Sequence, residues 1–179
     1  MPTLRPYRRR DADRIAEILA AGWRQAYSGF MPAEILAPRI DVEQRKREIA
    51  EWLDTEFDAQ TEALFVAGAE GADHVEGFIH MELGDKGGLG ATGIVNLLYV
   101  DPPAQGRGIG RALLGEGARW LGGKAAGPMV LSAYALNPFR HAYRAMGGRE
   151  AARLTSRFGT HELASVLYLW DDPGSLVAT

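Results

Sequence analysis

The sequence contains no cysteine. That absence excludes disulfides, thiolate metal sites and a thiol nucleophile together. No run approaches the roughly 18 apolar residues that a transmembrane helix needs. Charges occupy the opening "MPTLRPYRRRDADRIAEIL" where a secretory signal would carry its apolar stretch, so a cytoplasmic protein is expected. A large excess of either charge is also missing. Twenty Lys and Arg against 23 Asp and Glu give a net charge of −3, which argues against a general nucleic-acid partner. Arg8 to Arg10 run straight into Asp11 and Asp13 and read as a solvated turn. The four histidines, His74, His80, His141 and His161, lack close ligand spacing, so no metal is expected. No repeat or linker divides the chain, and 179 residues at 46% hydrophobic content suit one compact domain over residues 1–179.

What is present is an irregular succession of strands and helices. Thr3 to Arg8 reads as a first strand, and Asp11 as the N-cap of a helix carrying Ile15, Ile18 and Leu19 through Trp23 and Tyr27. A second helical region is expected from Pro32 to Leu53, divided at Pro38. Glu62 to Ala69 and His74 to Leu83 are strand-like, with "EGAD" between them as a hairpin turn. After a glycine-rich loop, Gly84 to Gly90, come a strand from Gly93 to Asp101 and a helix from Gly106 to Gly122. "PMVLSA" is a short strand, "PFRHAYRAM" a short helix ended by Gly147 and Gly148, and "HELASVLYLW" a final strand, with room for one more after Gly148. This is an α/β chain with an antiparallel centre rather than a regular βαβ alternation.

The strand and helix around "VNLLYVDPPAQGRGIGRALLGEGARWL" enclose the most informative turn. A dinucleotide fingerprint fails in both registers, because Arg111 or Leu113 stands at the third glycine position. A phosphate-loop pattern ending at Gly122-Gly123-Lys124 fails at Ala118 and Ala125. There remains Gln105-Gly106-Arg107-Gly108-Ile109-Gly110, a helix start almost free of side chains. Its unbonded helical N–H groups and the helix dipole suit a phosphate or pyrophosphate, with Arg107 and Arg111 at the rim. A plain strand-to-helix turn, its glycines serving packing, is the other reading of the same residues.

Gln105, Gly108 and Gly110 match in place the pattern [RQ]-x-x-G-x-[GA], and the surrounding "LYVDPPAQGRGIGRALL" resembles the acetyl-CoA segment of the GNAT superfamily of N-acetyltransferases. Downstream, "LNPFRHAYRAMGGR" resembles that family's N-x-x-x-x-F-Y-x-x-x-G stretch, with Asn137, Tyr143 and Gly147 in register and Ala142 where an aromatic is usual. "GWRQAYSGFMP" and the tail "SVLYLW" resemble a bacterial group of small single-domain members. The resemblance covers nearly the whole chain in order.

It implies a GNAT-like α/β (α+β) fold: a mixed, mostly antiparallel sheet of six or seven strands flanked by helices, with a splayed V-shaped cleft for acetyl-CoA. The pantetheine arm is then expected along the strand from Leu97 to Asp101, paired through Leu98 and Val100, with the Leu98 or Tyr99 N–H facing the developing oxyanion. The pyrophosphate is expected over Gln105, Gly106, Arg107, Gly108, Ile109, Gly110 and Arg111. Tyr143 is implied as general acid, and Asn137 as a ligand of the cofactor arm or a cap. A glutamate that some members carry on the central strand is replaced by Ile94, so the base is open among Asn96 as a water-orienting group, Glu82, His80 and a chain of waters. Acceptor specificity is expected from the first two helices and the loop from Gly84 to Gly90; Trp23 and Tyr27, one turn apart on a helix, are candidate walls of an acceptor pocket, or core packing. The expected activity is direct acetyl transfer to a primary amine of an unidentified acceptor, without metal. The alternative is a catalytically silent acyl-CoA sensor or interaction module. Neither nucleic acid nor membrane is expected as a partner; a homodimer through the closing strand, with Val166, Tyr168 and Trp170, rests on analogy.

Overall fold

The computed structural model describes residues 2–69 and 74–177; the expected "EGAD" turn lies outside the described residues. Seven strands, β1 (Thr3–Pro6), β2 (Glu62–Gly68), β3 (Val75–Leu83), β4 (Gly93–Val100), β5 (Met129–Tyr134), β6 (Arg149–Phe158) and β7 (His161–Trp170), form one sheet in the order β1-β2-β3-β4-β5-β7-β6. Every neighbouring pair is antiparallel except β4–β5. The helices are α1 (Ala12–Tyr27), α2 (Ala33–Ile40), α3 (Val42–Thr55), α4 (Ile109–Lys124) and α5 (His141–Ala145).

The sheet is covered on both faces, which explains why β2 reads as an unbroken apolar run. Ala63, Phe65 and Ala67 join the cluster under α4, formed with Leu113, Leu114 and Leu121. Leu64 and Val66 join the opposite cluster, under α1 and α3, with Ile15, Ile18, Leu19 and Ile49.

Several expectations shift by a few residues for local reasons. Asp11 stands before α1, but its carboxylate accepts from the Arg8 N–H (2.7 Å) and from Arg5 (2.7 and 2.9 Å), so it caps the short 3-10 turn that opens the helix. The second helical region divides at Asp41, not Pro38. Asp41 caps α3 by accepting from the Gln44 N–H (2.9 Å), while Pro38 is carried inside α2 at the loss of one helical bond. The helix after the glycine turn begins at Ile109, because Gly106 and Gly108 adopt left-handed backbone (φ +75° and +78°). The strand after Gly148 is present as β6, and it changes one further expectation. β7 is held between β5 and β6, with Val166, Tyr168 and Trp170 buried, so its ladders are filled on both sides and β7 offers no edge for a partner.

The feature that shapes the centre of the sheet is a bulge in β4. Val95 faces Met81 and Leu97 faces His80 on β3, leaving Asn96 as the extra residue. At the same point β4 leaves β5: their pairing ends at Val95↔Leu131, while β5 continues along β7 to Tyr134. A V-shaped gap opens between Asn96–Val100 and Ser132–Tyr134.

Candidate active site

The main-chain groups that face this gap follow from strand alternation. The Asp101 N–H donates to the Glu76 carbonyl on β3 (2.8 Å). In an antiparallel ladder the N–H and C=O of one residue point to the same side, and the side alternates. Tyr99 and Leu97 therefore turn their main chain toward β3, and Leu98 and Val100 turn theirs into the gap. The Val100 carbonyl accepts from Gln105 Nε2 across the gap side (3.1 Å), which agrees with that assignment. Of the two expected N–H donors, Leu98 faces the cleft. Tyr99 does not, since its N–H belongs to the β3 ladder; it borders the cleft through its ring. The bulge decides this outcome, because alternation carried through Asn96 without it would present Leu97 and Tyr99.

At the wide end, the turn from Gln105 to Gly110 leads into α4. Gly106 and Gly108 are exposed and a Cβ on either would meet nothing within 4 Å, so they are required by backbone conformation and not by packing. The first α4 hydrogen bond runs from the Ala112 N–H to the Gly108 carbonyl (3.0 Å), so the N–H groups of Ile109 and Gly110 precede the helical ladder. Ile109 is buried in the core and contributes its main chain only. Arg107 reaches Glu76 on β3 (2.8 Å) at the rim, and Arg111 lies in the first turn of α4. Gln105 exchanges amide hydrogen bonds with Gln25 of α1 (2.9 and 3.1 Å), closing that end.

Two adjoining cavities occupy the gap. The first is bordered by Leu98, Val100, Gln105, Asn137 and Tyr143. The second is bordered by Trp23, Lys86, Leu97, Tyr134 and Ser165. Tyr27, Asn96, Tyr99 and Ser132 border both, and so mark their junction. Tyr143 packs its ring on buried Tyr168 (centroids 5.4 Å apart), and burial, with Tyr27 and Tyr168 nearby, pushes its phenol well above the ordinary range. Tyr99 is pushed well above it for the same first reason, and Tyr27 more modestly, because the Tyr99 and Asn137 side chains bond to its oxygen. Asn137 is buried and its Oδ1 accepts from the Phe139 N–H (2.9 Å), so it holds the turn before α5 while lining the first cavity.

The remaining expected residues divide. Trp23 and Tyr27 form an edge-to-face pair (4.6 Å) that Tyr134 extends, and they serve both as packing and as cavity wall. His80 and Glu82 share a face of β3 but border neither cavity. His80 is buried beneath Trp52, bonded to Glu62 (2.6 Å), and desolvation lowers its pKa despite that partner. Ile94 is buried in the apolar cluster with Val130 and Leu169. No Asp, Glu or His borders the junction among the described residues. Gly22, Gln25, Lys86 and Ser132 border the cavities without having been singled out individually, although Lys86 lies in the Gly84–Gly90 loop and Gln25 in the first helix, both expected on the acceptor side. Gly22 lets the Tyr99 ring rest on the α1 backbone, since a Cβ there would lie 2.4 Å from Tyr99 Cδ1.

A profile of the acetyltransferase (GNAT) domain family matches residues 60–149, from β2 through α5. No curated protein matches the sequence. Among solved structures, the GCN5-related N-acetyltransferase of Rhodopseudomonas palustris superimposes with a TM-score of 0.73 at 20% identity, covering 96% of each chain. The PaiA N-acetyltransferase of Thermoplasma acidophilum, solved in complex with coenzyme A, gives 0.64 at 16% identity over 93% of this chain and 98% of that one. YncA of Salmonella typhimurium, solved with its cofactor acetyl-CoA, gives 0.65 at 18% identity over 96% and 94%. At these identities the likeness concerns the fold.

Proposed function

The chain belongs to the GNAT acetyltransferase family, and from that premise we propose that it transfers the acetyl group of acetyl-CoA directly to a primary amine. The observation that carries this reading is the β4 edge: Leu98 and Val100 main-chain groups turned into a gap that ends at a left-handed glycine turn and a helix start. Such an edge suits an extended amide-bearing arm, and such a turn suits a pyrophosphate. Acetyl-CoA supplies an activated thioester. The Leu98 N–H polarises the acyl carbonyl, the N–H groups of Gln105 to Arg111 hold the diphosphate, and Asn137 keeps the cleft wall in place.

The acceptor enters through the second cavity and meets the thioester where Asn96, Tyr99 and Ser132 border both spaces. Nitrogen bonds to the carbonyl carbon, the carbon–sulfur bond breaks, and Tyr143 gives its phenolic proton to the departing sulfur and regains one, through water, from the nitrogen as it becomes an amide. With no carboxylate or imidazole at the junction among the described residues, Asn96 and Ser132 orient a water that carries the ammonium proton to solvent. His80 and Glu82 take no part in this scheme. The missing base is also what favours the second reading, an acyl-CoA-binding module without turnover.

Thermal unfolding with saturating acetyl-CoA, beside ATP and NAD, tests the first step. Ligand at about 100 times its dissociation constant adds about 2.7 kcal/mol, a rise of about 5–10 °C for a chain of this size. A rise with acetyl-CoA alone, followed by amine-dependent release of free thiol, is expected. A rise without thiol release across an amine panel would favour the silent module, and no rise would overturn both.

A further inference from the structure

The second cavity carries an electrostatic character that an amine-binding pocket would not be expected to have. Its border includes Lys86, Tyr134, Ser156 and Ser165, and no Asp or Glu among the described residues. Two guanidinium groups stand over the Trp23 ring that walls it: Arg39 at 5.6 Å and Arg45 at 5.8 Å from the ring centroid. The Arg45 charge is offset by Glu48 (2.7 Å), whereas neither Arg39 nor Lys86 forms an ion pair among the described residues. The carboxylate on the neighbouring α2, Glu34, is taken by His161 (2.6 Å). A wholly cationic acceptor such as a polyamine would meet uncompensated positive charge there.

The backbone that carries Lys86 is also held in place. Its loop is tied by Asp85, whose carboxylate accepts from the N–H groups of Leu89, Gly90 and Ala91 (3.0–3.2 Å). At Gly87 the backbone (φ +77°) lies so close to β7 that a Cβ would come within 2.5 Å of Leu167 Cδ1. A loop anchored at both points fixes the main chain from which Lys86 reaches the cavity border, so its backbone needs no ordering on binding.

Resting on the acetyltransferase reading above, we propose that the acceptor is an amine that also bears an oxyanion, of the amino-acid or aminophosphonate class, and that Lys86 with the Tyr134, Ser156 and Ser165 hydroxyls forms its anion subsite, reinforced by Arg39 at the rim. The amine end then points to Asn96 and Ser132, and the anionic end sets the register. Charge-assisted hydrogen bonds from an ammonium and aligned hydroxyls recognise a carboxylate or a phosphonate alike.

The test measures binding apart from turnover. Calorimetry on the protein, with and without coenzyme A, compares a set of L-amino acids with their carboxamides, their decarboxylated amines, matching aminophosphonates and spermidine. The acids or the phosphonates are expected to bind at least about tenfold more tightly than their neutralised counterparts, and the better of the two identifies the anion. Lys86→Met removes the preference, and Arg39→Met reduces it, in variants whose acetyl-CoA thermal shift is measured as the folding control. Equal affinity for acid and carboxamide, tighter binding of spermidine, or a preference retained in Lys86→Met would overturn the proposal. Failure of the acetyltransferase reading is seen separately, as absence of the acetyl-CoA shift and of thiol release, because the acid preference is read without either.

Discussion

Replacing Gly108 by alanine separates the conformational role of the glycine turn from its role toward a ligand. Gly108 has φ +78° and open space around its would-be Cβ, so alanine meets no neighbour and the cost is backbone alone. Holding an L-residue in left-handed geometry costs about 1–2 kcal/mol. For a chain of this length that lowers Tm by about 2–8 °C. Gly159, in the turn between β6 and β7, has φ +57° and equally open surroundings, so Gly159→Ala carries a similar stability loss at a position outside the glycine turn and the first cavity. The two positions differ in their C-terminal neighbours. After Gly108 the next N–H groups are those of Ile109 and Gly110, at the start of α4. Relief of the strain re-aims them, and each charge-assisted bond lost to a diphosphate is worth about 1.5–3 kcal/mol, roughly a 10–100-fold weakening. Calorimetric titration of coenzyme A into both variants is the assay. Equal destabilisation with weakened binding only in Gly108→Ala is expected. Unchanged affinity in Gly108→Ala, or the same loss in Gly159→Ala, would refute the assignment of the turn to the diphosphate.

Tyr143→Phe should lower kcat about 100-fold with little change in Tm, since the ring contact with Tyr168 is kept. Burial raises the Tyr143 phenol, so it stays protonated through the assay range: activity should climb with pH as the acceptor amine deprotonates and then level off. An alkaline fall that vanishes in Tyr143→Phe would show instead that the phenol ionises within that range. The His80 pKa lies below its unfolded value because burial disfavours the cation, so the unfolded chain takes up the proton first as pH falls. Stability at this site is therefore full above about pH 6.5 and declines as the pH falls below it, a slope that His80→Gln should flatten in Tm measurements. Gly22→Ala places a Cβ 2.4 Å from the Tyr99 ring and should cost about 1–3 kcal/mol together with activity, while Gly29→Ala, with nothing within 4 Å, should do neither.

Local patterns were enough to find most elements. Apolar spacing located α1 and α4, the β2 and β3 runs were bounded by polar turns, and the glycine turn after β4 stood out by composition alone. Boundaries slipped where two local rules competed. Pro38 looked like the break in the second helical region, yet a proline late in a short helix is tolerated and the Asp41 cap decides the division. The pairing of β7 failed as an edge expectation for a different reason: the strand that covers it, β6, is largely exposed and polar, with weak apolar alternation to announce it. The candidate site divides in the same way. Gln105, Gly108, Asn137 and Tyr143 carry a recognisable spacing and do border the first cavity or its turn. The Gly84–Gly90 loop and the first helix were legible as acceptor-side elements, but that Lys86 and Gln25 are the residues that reach the cavities, and that Ser132 joins them, follows only from tertiary placement.

Asn96 shows most clearly what a pattern of residues leaves out. Alternation along β4 places its side chain on the face of Ile94, and it does border both cavities from there. The same alternation, carried past it without a bulge, would have put the Leu97 and Tyr99 main chain into the cleft. It would also have turned the Leu98 and Val100 side chains toward α1 and α3, when they pack under α4. One extra residue therefore does three things at once: it ends the pairing with β5, opens the gap, and selects which N–H faces it. The apolar residues on either side, Val95 and Leu97, are of similar size and suit either register. What fixes the bulge is the partner strand, with Met81 and His80 held to opposite clusters by α4 and by Trp52. The identity of the donor in the cleft is thus a property of how three strands and two helices pack, and it becomes legible only when all of them are in place.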